Sequence, residues 1–214
     1  MPNAGRPRAQ RRKDARPSEI IDAGIDEFAE HGFERARLDR IAKAAGIAKG
    51  TIYLYYESKE ALFLAAAEKH VIEVLAENET TLAGFQGTTA ELLTHLLTAI
   101  YDQFVDGRAQ TLLKIMVAEG DRIPKVVERY HAMAIQRGTS LLRTILERGV
   151  ARGEVDPSPI VNNPQVVIAP AIFYAIHSMV FQMHGPIDRD SFIAAHTEMM
   201  LHGVLKRQSQ QSRP

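Results

Sequence analysis

The stretch from residue 32 to residue 62, GFERARLDRIAKAAGIAKGTIYLYYESKEAL, decides the architecture of this chain. Its apolar residues, beginning with Leu38 and Ile41, recur at spacings of three and four, which predicts a short helix with one buried face. Gly46 follows the last periodic residue, where glycine often ends a helix in a left-handed conformation. Ile52 returns an apolar side chain to the same core, so a second short helix follows the glycine turn.

The second short helix presents a small and cationic surface. Lys49 supplies a charge for a phosphate, Gly50 permits close approach, and Thr51 offers a hydroxyl that donates or accepts. Such a first turn is typical of a recognition helix in the major groove of DNA. The alternative interpretation of these few residues is an ordinary helical hairpin inside a helical bundle.

The whole run resembles the DNA-binding domain of the TetR family of transcriptional regulators. The resemblance rests on IIDAGIDEFAEHGF at 20–33, RIAKAAGIAKGTIYLYYESKEAL at 40–62 and the short basic tail before them. It implies three helices that bind DNA, a fourth that connects them to the rest, and a ligand-binding, dimerising body. The chain departs from the family pattern at Arg37 and Ala48, where the family often has a Thr or Ser cap. A lost cap typically costs about 1 kcal/mol.

Charge is distributed unevenly along the chain. The 214 residues include 26 basic and 26 acidic ones, so the whole chain is neutral. Residues 1–16 hold six basic residues and one acidic residue, a net charge of +5, which is the expected footprint of local DNA contact. The alternative for this segment is a solubilising tail.

The composition excludes several other classes of protein. The chain has no cysteine, which rules out disulfides and thiolate metal sites. The first 16 residues lack the apolar segment of a secretory signal, and the longest apolar stretch, 166–181, is too short to span a bilayer comfortably. We therefore expect a cytoplasmic protein without a membrane partner.

The remaining pattern predicts an all-α fold of about nine helices and no strand pair. The first helix is predicted from about residue 18 to 31, the fourth from 58 to 79, and a later one from 124 to 152. Thr88 and Glu91 form a capping box that opens a helix after a loop at 80–89. We divide the chain into a basic flexible arm (1–16), a helix-turn-helix DNA-binding domain (17–64), a ligand-binding and dimerisation domain (65–207) and a disordered tail (208–214).

The resemblance also implies which residues contact DNA. Matching positions place four residues in or beside the groove: Lys49, Gly50, Thr51 and Tyr53. Three more would hold phosphates: Arg37, Tyr55 and Lys59. The arm residues Arg11, Arg12 and Lys13 either enter the minor groove or stay mobile, and the sequence does not separate these alternatives.

The family places an effector pocket among the middle helices. The candidates in this chain are Tyr101, Phe104, Met116, Tyr130, Met133, Phe173 and His177. Their aromatic rings and methionines predict an apolar or aromatic small molecule, with His177 or Tyr101 as a polar anchor. Plain core packing is the alternative role for each residue.

The last two long helices predict a homodimer. The segment 166–181 is apolar nearly all round, so it must be buried on several sides. Two such helices from each chain can form a four-helix bundle, whereas an intramolecular core is the alternative. Family members generally dimerise here, and a dimer sets two recognition helices about 34–36 Å apart, as successive major grooves require.

Enzymatic function is the main rival class. Glu128 and His131 form an E-x-x-H pair, but di-iron bundles need a second such pair, which the sequence lacks. We therefore expect no enzyme, no cofactor and no metal. We predict a repressor that a small molecule releases from a palindromic double-stranded DNA operator. A transcriptional activator of the same fold is the first alternative, followed by a helical interaction protein or a di-metal enzyme.

Overall fold

The computed structural model describes residues 8–105 and 108–204, and within these ranges it consists of helices joined by turns and loops, with no β-strand. The predicted all-α fold is therefore confirmed. The chain forms two compact units, which we call the first unit (Met1–His70 and Thr111–Tyr130) and the second unit (Val71–Gln110 and His131–Pro214). No helix in the described ranges is long and apolar enough to cross a membrane.

The first unit is built on a long N-terminal helix. Its elements are α1 (Arg8–Arg35), α2 (Leu38–Ala44), α3 (Lys49–Ile52), α4 (Lys59–Ala67), the end of α7 (Arg108–Glu119), a 3-10 turn (Gly120–Arg122) and α8 (Pro124–Tyr130). Helix α1 packs against α2 and α4, α2 packs against α3, and α4 packs against α8.

Three phenylalanine rings form the centre of the first unit. Phe28 stacks on Phe33 at 5.4 Å between ring centroids, and Phe63 meets both rings edge-on at 5.9 and 5.7 Å. A Cβ on Gly24 would lie 2.8 Å from the side chain of Leu62, so glycine lets α1 and α4 approach closely. This core joins α1 to α4. Helix α2 packs against α1, and α3 packs against α2.

The second unit surrounds α6. Its elements are α5 (Glu73–Gly84), α6 (Thr89–Val105), α9 (Arg137–Ala151), α10 (Pro159–Asn162), α11 (Gln165–Phe181) and α12 (Arg189–Val204). Helix α6 packs against α5, α9, α11 and α12. The predicted capping box is confirmed, because the Thr88 N–H donates to Glu91 Oε2 at 2.8 Å and the Glu91 N–H donates to Thr88 Oγ1 at 3.2 Å.

Two π-helical turns interrupt runs that the sequence predicts as single helices. One turn, Glu68–Ile72, joins α4 to α5, and the other, His131–Gln136, joins α8 to α9. The loop predicted at 80–89 is too long, because α5 continues to Gly84. A π turn inserts a residue without changing the local composition, so the apolar spacing does not reveal it.

Other predicted boundaries also move. Helix α1 begins at Arg8, about ten residues before its predicted start, so residues 8–16 of the predicted arm have a helical backbone. The predicted linker at 157–164 contains the short helix α10. The predicted tail, 208–214, lies outside the described residues.

Candidate nucleic-acid interface

Gly46 makes the turn between α2 and α3. Its φ of 66° is left-handed, as predicted for a glycine that ends a helix. The chain then closes back on α2, because the Ile47 N–H donates to the Ala42 carbonyl at 2.9 Å. Ile41 and Ile52 are fully buried beneath the turn. Helix α3 is therefore anchored on one side, and its other side faces outward.

The outward side of α3 is open and has little bulk near its start. Lys49 and Gly50 are exposed, and a Cβ on Gly50 would meet no atom within 4 Å. Tyr53 is 50% exposed and Leu54 is 83% exposed. Leu54 lies in the turn directly after α3, where its N–H donates to the Thr51 carbonyl at 3.1 Å. The sequence analysis did not single out Leu54; the available signal was a large apolar residue directly after the recognition helix.

The starts of α2 and α3 lack side-chain caps, as the sequence predicts. Arg37 and Ala48 occupy the two cap positions, and neither side chain makes a capping hydrogen bond to a backbone N–H of its helix. The buried Glu27 carboxylate holds the start of α2, because it accepts hydrogen bonds from the Arg37 N–H at 3.1 Å and from Arg40 Nε at 2.6 Å. The exposed Arg37 guanidinium pairs with Asp39 at 3.0 Å, and this hydrogen bond lowers the pKa of the Asp39 carboxyl.

The remaining predicted DNA contacts have mixed surroundings. Thr51 and Tyr55 are half-buried. The Lys59 amine donates to the carbonyls of Phe33 and Glu34 at 2.9 and 2.7 Å and lies 4.9 Å from the centre of the Phe33 ring. Lys59 therefore fastens the end of α1, and its phosphate contact stays a prediction.

The arm residues are described only in part. Arg11, Arg12 and Lys13 have helical backbones at the start of α1, and their side chains lie outside the described residues. Their DNA contact stays a prediction.

The α1–α2 connection is held by a carboxylate from far along the chain. Gly32 breaks α1 with φ 73° and ψ 169°, which frees the next two backbone N–H groups. Glu119, at the end of α7, accepts the Phe33 N–H and the Glu34 N–H, each at 2.8 Å. Arg122 pairs with the Glu34 carboxylate at 2.6 Å. The sequence analysis missed Glu119, because nothing local connects it to Gly32.

Comparison with known proteins decides the family. Residues 20–66 match the model described as bacterial regulatory proteins of the tetR family, and residues 86–197 match the tetracyclin repressor-like C-terminal domain. An HTH-type transcriptional repressor of Streptomyces coelicolor is 30% identical over 156 residues, which are 71% of this chain and 74% of that protein. The chain belongs to the TetR family of transcriptional regulators. The predicted family is therefore confirmed.

Other relatives and solved structures agree with the TetR fold. An HTH-type transcriptional regulator of Bacillus subtilis is 25% identical over 172 residues, covering 80% of this chain and 81% of that protein. The regulator FadR from Bacillus subtilis, solved with stearoyl-CoA, superposes with a TM-score of 0.73 at 19% identity, covering 87% of this chain and 98% of that one. A transcriptional regulator from Saccharomonospora viridis, solved with choline, gives 0.74 at 17% identity, covering 91% and 100%.

The family also decides between a regulator and an enzyme. The matched families and relatives of this TetR protein are transcriptional regulators, which confirms the predicted class of DNA-binding transcriptional regulator and the expectation of no enzymatic function. Among the described residues, no three His, Cys, Asp or Glu side chains form a group that could hold a metal ion. Glu128 and His131, the E-x-x-H pair, are both exposed.

A buried polar chain links three helices of the regulator's second unit. The Tyr101 hydroxyl lies 2.9 Å from His196 Nδ1, and His196 Nε2 lies 2.9 Å from the Val167 carbonyl. Because that carbonyl only accepts, Nε2 carries the proton and Nδ1 accepts from Tyr101. Burial raises the pKa of Tyr101 to about 12 and lowers the pKa of His196, so both groups are neutral at pH 7.

The predicted pocket residues of this TetR regulator divide between the two units. Met116 and Tyr130 belong to the first unit, and the other five belong to the second. Burial raises the pKa of Tyr130 to about 12. The side chain of Phe104 lies outside the described residues.

Within the second unit, the remaining pocket candidates have different exposures. Tyr101 is fully buried, Met133 is half-buried and Phe173 is 56% exposed. The half-buried His177 ring lies 5.9 Å from Phe173 between centroids. Their roles as an effector site stay predictions.

Helix α11 carries an exposed apolar stripe. Val166, Phe173 and Val180 are 55%, 56% and 58% exposed and follow one another at intervals of seven residues. This interval places them along one side of the helix, as in helices that pair with a neighbour. Phe181 on α11 and Met199 on α12 are also exposed, at 50% and 59%.

Proposed function

We propose that this regulator is a homodimeric cytoplasmic repressor that a small-molecule effector releases from a palindromic operator. In this proposal residues 1–16 form a basic arm, 17–64 bind DNA, 65–207 bind the effector and dimerise, and 208–214 form a tail. The single observation that carries the proposal is the open outward side of α3 in a TetR-family chain.

The DNA-binding part assigns different tasks to different residues. Lys49, Gly50, Thr51 and Tyr53 would lie in or beside the groove, where the Lys49 amine would neutralise a phosphate and Thr51 would contact base edges. Arg37, Tyr55 and Lys59 would lie near further phosphates. The small Gly50 supports this arrangement, because no atom stands within 4 Å of its missing Cβ. A backbone this open permits the close approach to DNA that base contacts need.

Fluorescence anisotropy over a salt series tests this assignment, with an operator selected from random DNA by the protein itself. Lys49→Ala should weaken binding to all sequences and reduce the salt slope by about 0.9, the value for one lost phosphate contact. Thr51→Ala should instead change the preference between operator variants. Lys125→Ala, a control at an exposed lysine of α8, should change neither. Identical behaviour of the Lys49 and Thr51 variants would contradict the assignment.

The dimer part rests on the apolar stripe of α11. Phe173→Glu and Val180→Glu would each place a charge on a surface that the proposed dimer buries. We expect both variants to be monomers by light scattering after gel filtration, and we expect wild type to be a dimer. Val117→Glu is the control, since Val117 is 64% exposed but belongs to α7. Dimeric stripe variants would show that the interface lies elsewhere.

The effector part proposes an apolar or aromatic small molecule. The structural neighbours FadR and the Saccharomonospora viridis regulator were solved with stearoyl-CoA and choline, so these two compounds are the first probes. The aromatic and methionine candidates favour the compound with the long apolar chain. We expect stearoyl-CoA to raise the Kd for the operator and choline to leave it unchanged. Release by choline alone would show that the effector site recognises a cation instead.

A further inference from the structure

Gly32 creates a backbone segment whose hydrogen bonds come from side chains. With φ 73° and ψ 169°, Gly32 adopts a conformation that is essentially restricted to glycine. The Phe33 and Glu34 N–H groups then donate to Oε1 and Oε2 of Glu119, both at 2.8 Å. Charge-assisted bonds of this kind are about twice as strong as neutral ones. One carboxylate thus holds two consecutive amides.

The opposite side of the same segment is held by a cation. The Lys59 amine donates to the carbonyls of Phe33 and Glu34 at 2.9 and 2.7 Å. Glu119 of α7 therefore accepts hydrogen bonds from the N–H groups of these two residues, and Lys59 of α4 donates hydrogen bonds to their C=O groups. Because Phe33 is also in the aromatic core, this segment is fixed on three sides.

The fixed segment leads directly into the DNA-binding helices. Only Arg35 to Arg37 separate Glu34 from α2, and Glu27 of α1 accepts both the Arg37 N–H and Arg40 Nε. Helix α2 in turn carries Ala42 and the turn that positions α3. A displacement of Phe33 and Glu34 would therefore move the start of α2 and, through it, the recognition helix.

Glu119 stands at the end of a helix that belongs to both units. Helix α7 begins at Arg108, and the division between the second and first units falls inside it, between Gln110 and Thr111. Rigid secondary-structure elements are among the structures that carry coupling between distant sites. A change that begins in the second unit thus has a covalent, helical route to the Glu119 carboxylate.

We propose that Glu119 is a positioning residue that couples the second unit to the recognition helix through the backbone amides of Phe33 and Glu34. The proposal rests on the proposed effector response and names the contact through which that response reaches DNA. By reciprocity of coupling, operator binding must then also change the second unit. This consequence permits a test that needs no effector.

The test is hydrogen exchange of the full chain with and without the selected operator. Glu119→Gln keeps the size of the side chain but replaces one acceptor oxygen by a donor group. Glu128→Gln makes the same change at an exposed glutamate of α8 and is the matched control. Melting curves establish that each variant is folded before exchange is measured. Glu119→Ala is the second variant, which removes both acceptors.

In wild type and in the control variant, we expect operator binding to slow exchange in peptides from α6 and α9. In Glu119→Gln, exchange at Phe33 and Glu34 should be roughly tenfold faster without DNA, which corresponds to about 1.4 kcal/mol. The operator should still bind, but its effect on α6 and α9 should fall by at least half.

Two results would overturn the coupling. One is an undiminished response of α6 and α9 in both Glu119 variants, and the other is a wild type that binds its operator without any such response. A wild type that discriminates no operator from random DNA would instead refute the proposed function itself. The anisotropy measurement separates that failure from the other two.

Discussion

Replacing Gly32 with alanine should destabilise the first unit for two separate reasons. A non-glycine residue at φ 73° and ψ 169° costs about 1–3 kcal/mol in backbone strain. The new Cβ would also lie 2.7 Å from Glu119 Oε1, which is too close for any Cβ. The carboxylate must therefore move away from the Phe33 and Glu34 N–H groups, whose hydrogen bonds it accepts.

The displaced carboxylate adds a second cost. The Phe33 N–H is partly buried and loses its partner, at about 1–3 kcal/mol, whereas water replaces the bond to the exposed Glu34 N–H at little cost. Together the strain and the lost bond come to about 2–6 kcal/mol. For a chain of this length 1 kcal/mol lowers Tm by about 2–4 °C, so we expect a decrease of roughly 5–20 °C.

Substitutions at two other glycines of the first unit separate the backbone strain from the steric contact with Glu119. Gly46 has φ 66° but no atom within 4 Å of its missing Cβ, so Gly46→Ala should cost only the strain, about 1–2 kcal/mol. Gly50 has neither problem and lies in a helix, so Gly50→Ala should leave Tm unchanged or slightly raised. The extra methyl of Gly50→Ala should still weaken operator binding.

Thermal melts followed by circular dichroism measure all three variants, and a cycle with Glu119→Ala measures the shared contact. Because Gly32→Ala already displaces Glu119, adding Glu119→Ala should cost less than it does in wild type. The reasoning is refuted if Gly32→Ala melts no lower than Gly46→Ala, or if the two costs simply add.

Three further variants test other parts of the structure. Leu54→Ala should leave Tm nearly unchanged, because Leu54 is 83% exposed, but it should weaken operator binding. Replacing thymine by uracil in the operator removes the 5-methyl group, and this change should reduce the affinity less in the variant than in wild type. Tyr101→Phe leaves the buried His196 Nδ1 without its donor and should cost about 1–3 kcal/mol in a denaturant titration. Hydrogen bonding from Thr89 lowers the pKa of Glu154 to about 2 from 4.5, so its contribution to stability is present above about pH 4.5 and is lost as the pH falls toward 2. The Tm difference between wild type and Glu154→Gln should accordingly vanish near pH 2, and a constant difference would contradict the assignment.

The DNA-binding turn was predictable because its contacts are local. The left-handed conformation of Gly46 and the burial of Ile52 depend on residues within about ten positions of each other. The missing caps at Arg37 and Ala48 were also visible, since a cap requires a particular side chain at one position. Periodicity and glycine placement carry this kind of information directly.

The fastening of the α1–α2 connection was not predictable, because its partners are distant. Phe33 and Glu119 are 86 positions apart, and no spacing rule connects a glutamate at the end of one helix to amides at the end of another. The Gly32 break shows in the sequence only as a glycine after a helical pattern. The sequence therefore locates the break but not the group that stabilises it.

The body of the chain shows the same division. Thr88 and Glu91 form the predicted box because both partners lie within one turn. Tyr101 was predicted as a polar anchor for an effector, yet its hydroxyl is bonded to His196, which lies 95 positions away in the sequence. Helix packing brings the two together, and the sequence alone does not determine that packing.

Lys59 combines an observed structural role with a predicted phosphate contact. An ammonium group has three N–H donors, and the carbonyls of Phe33 and Glu34 take two of them. The third donor is still compatible with the predicted phosphate contact. Lys59 and Glu119 carry opposite charges on opposite sides of the same two peptide units. Moving the Glu119 carboxylate would thus disturb the Lys59 amine as well. The loss of Glu119 would therefore change the position of the α1–α2 connection and weaken the predicted phosphate contact of Lys59.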